Sequence, residues 1–325
     1  MRLKPLATAI AILALAGAVL TALPVAAQNY PTRVIKFVVP FAAGSATDAL
    51  ARILGEHASR TLGQPVIIEN LAGANGVLAA QNVARAEPDG HTVLIGTNTT
   101  HGGNQSLMKT VPYDAIASFE PVTKLGTITL ALITNPSVPA KTVPELIAHA
   151  KANPGKLTLG YGSSSSRIAG EMLRTMAGID IRPVPYKSNP QAITDLIGGQ
   201  IDIIFADIST TMPQVRTGKA NGLAVSTTKR SALAPELATM EEAGVKGYDL
   251  AAWFAAFVPA RTPQPVVDKL RDALVAAMSD KATQEKLLAT GIEPETSTTA
   301  ELKSFVNSEI KKWADIVKAA GIQPE

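Results

Sequence analysis

The chain has 325 residues, enough for about two domains. Its 46% hydrophobic and 18% charged content argues against disorder. A formal net charge of +3 and an aromatic content of 4% do not supply the positive stripe and stacking rings of a nucleic-acid groove. There is no cysteine, which excludes disulfides, thiolate metal sites, cysteine nucleophiles and cysteine-linked lipid.

At the N-terminus, Arg2 and Lys4 precede an apolar, alanine-rich run from Leu6 to Leu23, and Val25-Ala26-Ala27 has the small-residue pattern of a cleavage site. Residues 1–27 therefore read as an export signal, with Gln28 as the new terminus. An uncleaved anchor is the alternative, because the run is near the lower length limit for a membrane span. No later segment is long and apolar enough to cross a bilayer.

The mature chain opens with an apolar run from Val34 to Val39, read as a buried strand. Phe41-Ala42-Ala43-Gly44-Ser45-Ala46-Thr47-Asp48 follows, and then Leu50, Ile53, Leu54 and His57 at the spacing of one helical face. Small residues let a ligand approach the backbone. The first N–H groups of a helix lack internal partners and favour negative charge, so such a turn accepts a carboxylate or phosphate without lysine or arginine. The same stretch also reads as a plain connection, with Ser45 capping the helix and Asp48 closing a capping-box variant.

Val66 to Glu69 is a second strand, Gly73-Ala74-Asn75-Gly76 turns into a helix through Val77, Ala80 and Val83, and Pro88-Asp89-Gly90 is a turn. Thr92 to Gly96 is a third strand, running into Thr97-Asn98-Thr99-Thr100-His101. This alternation marks a parallel sheet covered by helices. A second series begins near Leu130–Ile133, with a capping box at Thr142-Val143-Pro144-Glu145. Leu157 to Gly160 is a strand leading through Tyr161, Gly162 and the serines 163–166 to Arg167, then a helix through Ile168, Met172 and Met176. Further strands end at Val184-Pro185-Tyr186, run from Ile201 to Phe205 with Asp207 just beyond, and cover Gly222 to Val225. Between them a helix carries Ile193, Leu196 and Ile197. The tail is mostly helical. Val266, Leu270, Leu274 and Met278 share one face, and Thr298 to Glu301 caps a last helix in which Phe305 and Trp313 read as core.

Val38–Asp48 and Leu159–Glu171 repeat one plan of strand, small-residue turn and helix, about 120 residues apart, which suits one equivalent element in each of two lobes. Ligands collect beyond the carboxyl ends of strands in open α/β sheets. Either the two turns face one cleft, or they are ordinary connections that never meet.

Several chemistries lack their motifs. No Gly-x-Ser-x-Gly elbow, Walker lysine or dinucleotide glycine pattern is present. His57, His91, His101 and His149 are scattered, with no metal-ligand spacing. A triad of His101, a serine of 163–166 and Asp207 leaves a serine hydrolase as the alternative function, since triads are assembled in space.

A family resemblance spans nearly all of the mature chain. It rests on the leader, Tyr30-Pro31-Thr32-Arg33, Val39-Pro40-Phe41 with Asp48, Gly73-Ala74-Asn75-Gly76 and Pro88-Asp89-Gly90. It continues through Val111-Pro112-Tyr113-Asp114, Phe119-Glu120-Pro121-Val122, Val184-Pro185-Tyr186-Lys187 and Asp195 to Asp202. In these the chain resembles the periplasmic solute-binding proteins of tripartite tricarboxylate transporters, the Bug receptors.

The resemblance implies a two-lobed α/β binding protein with a parallel-rich mixed sheet in each lobe, closing on one small organic carboxylate. We expect residues 28–128 and 252–325 in one lobe and 129–251 in the other. It implies a periplasmic monomer that serves membrane permease subunits, or a sensor kinase in a signalling-only role, with no cofactor, metal or catalytic residue. By position, Phe41, Ala43, Gly44, Ser45 and Asp48 are expected at the ligand from the first turn, and Thr97 and Asn98 from the strand end. Ser163, Ser164, Ser166 and Arg167 are expected from the second lobe, along with Asp207. Phe41 and Tyr161 are placed to flank an aromatic ring. Two departures stand out: Gly44-Ser45 replaces a glycine pair, and Arg167 stands where histidine is usual. Arg167 offers a charged fork to a second carboxylate or is a solvent-facing residue of the first helical turn. Asp207 accepts from a ligand ammonium or hydroxyl, or caps the next segment.

Overall fold

A computed structural model describes residues 30–319 and 321–324; the leader and its cleavage point lie outside them. The chain begins with β1 (Ile35–Val39), α1 (Ala46–Leu62), β2 (Val66–Asn70), a tight turn at Ala74–Gly76, α2 (Val77–Ala84) and β3 (Thr92–Thr97). A π-helical turn (Thr99–Gly103) and α3 (Asn104–Leu107) lead to β4 (Phe119–Thr134). There follow α4 (Val143–Ala152), β5 (Thr158–Tyr161), α5 (Ser164–Ala177), β6 (Arg182–Pro185), α6 (Asn189–Ile197) and β7 (Ile203–Asp207). Next come α7 (Ile208–Arg216), β8 (Asn221–Val225), β9 (Ala238–Thr239) and β10 (Ala251–Pro259). The chain ends with α8 (Gln264–Ser279), α9 (Lys281–Ala289), β11 (Ile292–Glu293) and α10 (Thr299–Ala319).

The result is a two-lobed α/β fold on a mixed, continuous sheet. β1 pairs in parallel with β2 and β3, and β10 runs antiparallel between β3 and β4. In the other lobe β5 lies parallel to β6 and β7, while β7 and β8 flank β4 in the antiparallel sense. Period-2 alternation sorts the first lobe's strands into two cores. Ile35, Phe37 and Val39 of β1 join one buried cluster with Leu50 and Leu54 of α1 and Leu270 and Leu274 of α8. Val38 between them joins the other, with Val77 and Val83 of α2 and Leu302 and Val306 of α10. Each such fully buried leucine contributes roughly 2 kcal/mol by area. Trp313, read as core, is fully buried.

Two long strands escaped the sequence reading in whole or part, as did the two-residue β9 and β11. β4 is 16 residues long, and only its second half was read, because Pro121 and Gly126 interrupt the first. β4 pairs with β10 as far as Thr129 and with β7 from Leu130 on, so it passes from one lobe's sheet to the other's at that point. Just before it, Phe254 faces Gly126 while Ala255 faces Lys124, which leaves Leu125 as a bulge. Only glycine fits there: Gly126 has φ +133, and a Cβ would lie 2.4 Å from the Glu293 carbonyl oxygen. β10 was hidden by its alanine-rich composition, which carries little strand signal.

Candidate functional site

The first turn holds itself together. Ser45 Oγ caps α1 by accepting from the Asp48 N–H at 3.2 Å. The Asp48 carboxylate reaches back to accept from the Gly44 N–H at 3.0 Å, completing the reciprocal cap read from the sequence. It also accepts from Arg52 Nε at 3.0 Å and Asn70 Nδ2 at 3.1 Å. Burial alone would raise this carboxyl, but hydrogen bonds from Arg52, Gly44 and Asn70 and the Arg52 charge outweigh burial and hold it below the ordinary aspartate value. Asp48 is thus occupied by the turn, and Ala43 and Gly44 form its exposed outer tip. Phe41, Ser45 and Thr47 line a cavity on the inner side. The amides of Ala46 and Thr47, at the start of α1, have no intrahelical acceptor.

The second turn has the same cap but different neighbours. Ser163 Oγ accepts from the Ser166 N–H at 3.2 Å. Ser166 spends its hydroxyl on the Phe205 carbonyl at 2.5 Å and is fully buried. Gly162 donates its N–H to Asn189 Oδ1 at 2.9 Å, which ties the turn to the start of α6. A Cβ on Gly162 would sit 2.0 Å from the Ser188 carbonyl carbon, so only glycine permits that approach. Ser164 and Ser165 cross between lobes. The Ser164 N–H donates to Thr99 Oγ1 at 3.2 Å and its hydroxyl donates to Asn104 Oδ1 at 3.2 Å. Asn98 Nδ2 donates to Ser165 Oγ at 2.8 Å.

Both turns open on the same cavity, which Ser45 and Ser163 both line. Of the residues expected at a ligand, Phe41, Ser45, Thr97, Asn98, Ser163 and Asp207 line it. Thr47, Thr99, Ser165 and Asn189 do so as well and were not anticipated, nor were Ala252 and Phe254 of the unread β10. Ser165 and Asn189 had a sequence signal, since each stands in the first turn of a helix that follows a strand. The cavity has a volume of about 350 Å³, part of it open to solvent.

Residues at the N-termini of α1, α5, α6 and α7 all face this space. No lysine or arginine lines it, and Asp207 is its one ionisable side chain among the described residues. Asp207 precedes α7, yet its carboxyl makes no capping bond. Burial pushes that carboxyl up to about 6, against a smaller lowering by its own backbone N–H. Asn98 is 1% exposed, and its Oδ1 has no hydrogen-bond partner. Exchanging its amide oxygen and nitrogen would move the vacancy to a donor, so one polar atom of this buried side chain remains for something in the cavity.

Tyr161 and Arg167 lie elsewhere. They line a separate, open depression of about 1020 Å³ together with Asn75, Tyr186 and Lys187. Arg167 is buried, its guanidinium 5.5 Å from the Tyr161 ring centre, so it is not the solvent-facing residue its position in the first helical turn suggested. His101 is fully buried and stacked on Phe257 with ring centres 3.7 Å apart. Burial pushes it down to about 3, and its Nδ1 pairs with Thr100 Oγ1 at 2.9 Å. It does not reach the cavity, and no serine of 163–166 bonds to it.

A two-lobed α/β frame, with strand-to-helix turns from each lobe meeting over one cavity, defines a solute-binding protein. The family model described as "Tripartite tricarboxylate transporter family receptor" matches residues 50–322. The chain belongs to this family. It is 32% identical to Protein BugT of Bordetella pertussis over 303 residues, covering 92% of this chain and 93% of that one. Among solved structures it resembles the periplasmic binding protein BugD, with TM-score 0.87 and 34% identity over 91% of this chain and all of that one. It also resembles R. palustris Rpa4515 with adipate, with TM-score 0.88 and 34% identity over 91% of this chain and 100% of that chain. MatC of Rhodopseudomonas palustris with bound malate gives TM-score 0.84 and 31% identity, over 89% of this chain and 100% of that one.

Proposed function

We propose that this receptor captures a small organic carboxylate between its lobes, in the periplasm, and delivers it to the membrane subunits of a tripartite transporter. The observation that carries the proposal is a cavity faced by four helix N-termini and lined, among the described residues, by no lysine or arginine. Helix N-termini attract anions through free N–H groups and the macrodipole, which lets a cavity without basic side chains hold an acid. The vacant amide atom of Asn98 adds a directed contact. The adipate and malate carried by two relatives are acids of this class.

In this reading Phe41, Ser45, Thr47, Thr97, Asn98, Ser163 and Asp207 contact the ligand. Asp48 and Ser166 position the turns, and Ser164 and Ser165 draw the lobes together. The described residues of 28–128 and 252–325 form one lobe and those of 129–251 the other, with the β4 crossover at Thr129–Leu130 as part of the hinge. Among the described residues no helix is long and apolar enough to cross a membrane, which suits a receptor that works beside its transporter.

Melting temperatures measured across a panel of mono-, di- and tricarboxylic acids test the reading. A ligand that binds only the folded state raises the midpoint, by about 2.7 kcal/mol of stability at a hundredfold excess over Kd. A panel in which no acid gives a saturable shift would overturn it.

A further inference from the structure

Resting on the carboxylate reading above, we infer that Asp207 makes capture proton-linked: an anionic ligand is held in the shut cavity with the Asp207 carboxyl protonated and donating to it.

The argument is one of charge. An acid that enters this space meets one fixed carboxyl and no cation among the described lining residues. Two carboxylates confined together in a poorly solvated space cannot both stay ionised, and one takes up a proton. Asp207 is the group prepared to do so. Its carboxyl has no capping bond and no side-chain partner among the described residues, so no ion pair holds it charged. Asp207 is half-buried, and desolvation there raises its carboxyl to about 6, above the ordinary aspartate value yet still ionised in the unliganded protein at neutral pH, so it has room to take up a proton.

The charged groups on the elements packed around Asp207 are directed elsewhere. On α5, Glu171 pairs with Arg174 at 2.6 Å, and Arg167 lines the separate depression. On α7, Arg216 donates to the Leu233 carbonyl. Lys124 of β4 pairs with Glu295 at 2.7 Å, and Glu120 accepts from the Arg261 N–H. Asp195 on α6 sits by Tyr186, Asp202 before β7 accepts from Thr158, and Tyr161 of β5 faces the Arg167 side. Beyond the first turn, Asp48 is paired with Arg52, and His101 is enclosed between Phe119 and Phe257. None of these brings a cation into the cavity, so the helix N-termini hold the ligand carboxylate and a proton on Asp207 relieves its repulsion from the ligand.

The consequence for specificity is that the ligand presents an acceptor to Asp207, not an ammonium group. A zwitterion with its cation against Asp207 would require the opposite, an ionised carboxylate and no proton uptake.

The experiment is titration calorimetry from pH 6.5 to 8.5, above the ligand acid's own titration, in phosphate and in Tris. The probe is whichever of adipate, malate and the other acids of the panel gives the largest thermal shift. The expected result is uptake of close to one proton per ligand, read from the difference in enthalpy between buffers, with Kd weakening toward tenfold per pH unit. Asp207→Asn keeps the shape and a residue suited to a helix start, and it should abolish both the uptake and the slope while binding tighter than wild type at pH 8.5. Absence of uptake in the wild-type protein, or uptake that survives in Asp207→Asn, overturns the inference while leaving carboxylate binding intact. So does loss of all binding in Asp207→Asn without wild-type uptake, the signature of an ammonium partner. If no acid binds at all, the functional reading fails and this inference fails with it. The wild-type measurement alone decides the matter should the variant not fold.

Discussion

The turn after β1 and the turn after β5 begin from the same local chemistry and end in different roles. Each carries a serine that caps its helix at 3.2 Å, Ser45 in one and Ser163 in the other. The first adds an acid, Asp48, which gathers Gly44, Arg52 and Asn70 into a closed internal network. The second has serines where that acid would be. Ser166 is anchored in its own lobe, and Ser164 and Ser165 bond across to the opposite one. A turn that satisfies itself presents a rigid face, whereas a turn with spare hydroxyls can fasten lobe to lobe.

The largest effect should come from breaking the self-contained turn. Asp48→Ala removes the shared acceptor of the Gly44 N–H and of the Arg52 and Asn70 donors, three bonds to one charged group, and we expect a loss of about 2–4 kcal/mol in urea unfolding. The pH dependence has a definite sign. The folded-state Asp48 carboxyl lies below its unfolded value, so its contribution is present above the ordinary aspartate range and is lost as pH falls through the lowered value. The variant should therefore lose part of the wild-type acid sensitivity below about pH 4. An unchanged midpoint and acid limb would show that the network is decorative.

Next comes the packing beneath the second turn. A Cβ on Gly103 would lie 2.8 Å from Ser164 Cβ and 3.0 Å from the Trp313 ring. Gly103→Ala should cost about 1–3 kcal/mol through overpacking, and it should hold the lobes apart, seen as a larger radius of gyration in X-ray scattering with ligand present. Equal radii for variant and wild type would place closure elsewhere.

The smallest effect belongs to a single fastening. Ser165→Ala leaves Asn98 Nδ2 without its acceptor and should weaken binding by about 1 kcal/mol, roughly fivefold, with the urea midpoint of the unliganded protein nearly unchanged. A midpoint shift as large as that of Asp48→Ala would mean that the two turns do not differ as described.

Much of the fold was legible along the chain. Helix starts announced themselves through Ser45, Thr142 and Thr298, because capping is local and its donors and acceptors lie three residues apart. β1, β3 and the amphipathic helices showed as apolar runs and periodic stripes. β10 did not, since an alanine-rich strand buried between β3 and β4 owes its conformation to its neighbours. The site was legible only in part. Serine, threonine and aspartate near strand ends marked the right turns, but not which side chains face inward. Asp48 and Ser166 carried the right chemistry and spend it within their own lobes, while Ser165 and Asn189 were not expected at the ligand and line the cavity.

What the amino-acid order determined by itself was the succession of strands, caps and helices, together with the absence of cysteine, because these depend on neighbours within a few positions. What only the tertiary structure decided was the meeting of residues far apart in the chain: Ser45 and Ser163 lining one cavity, Asn98 against Ser165, and Asp207 as the single ionisable group, among the described residues, of a space they line without cations. The physical reason is that burial and charge environment are properties of atoms brought together from distant stretches. A carboxyl such as that of Asp207 acquires its character from what surrounds it, and no local pattern around residue 207 encodes that.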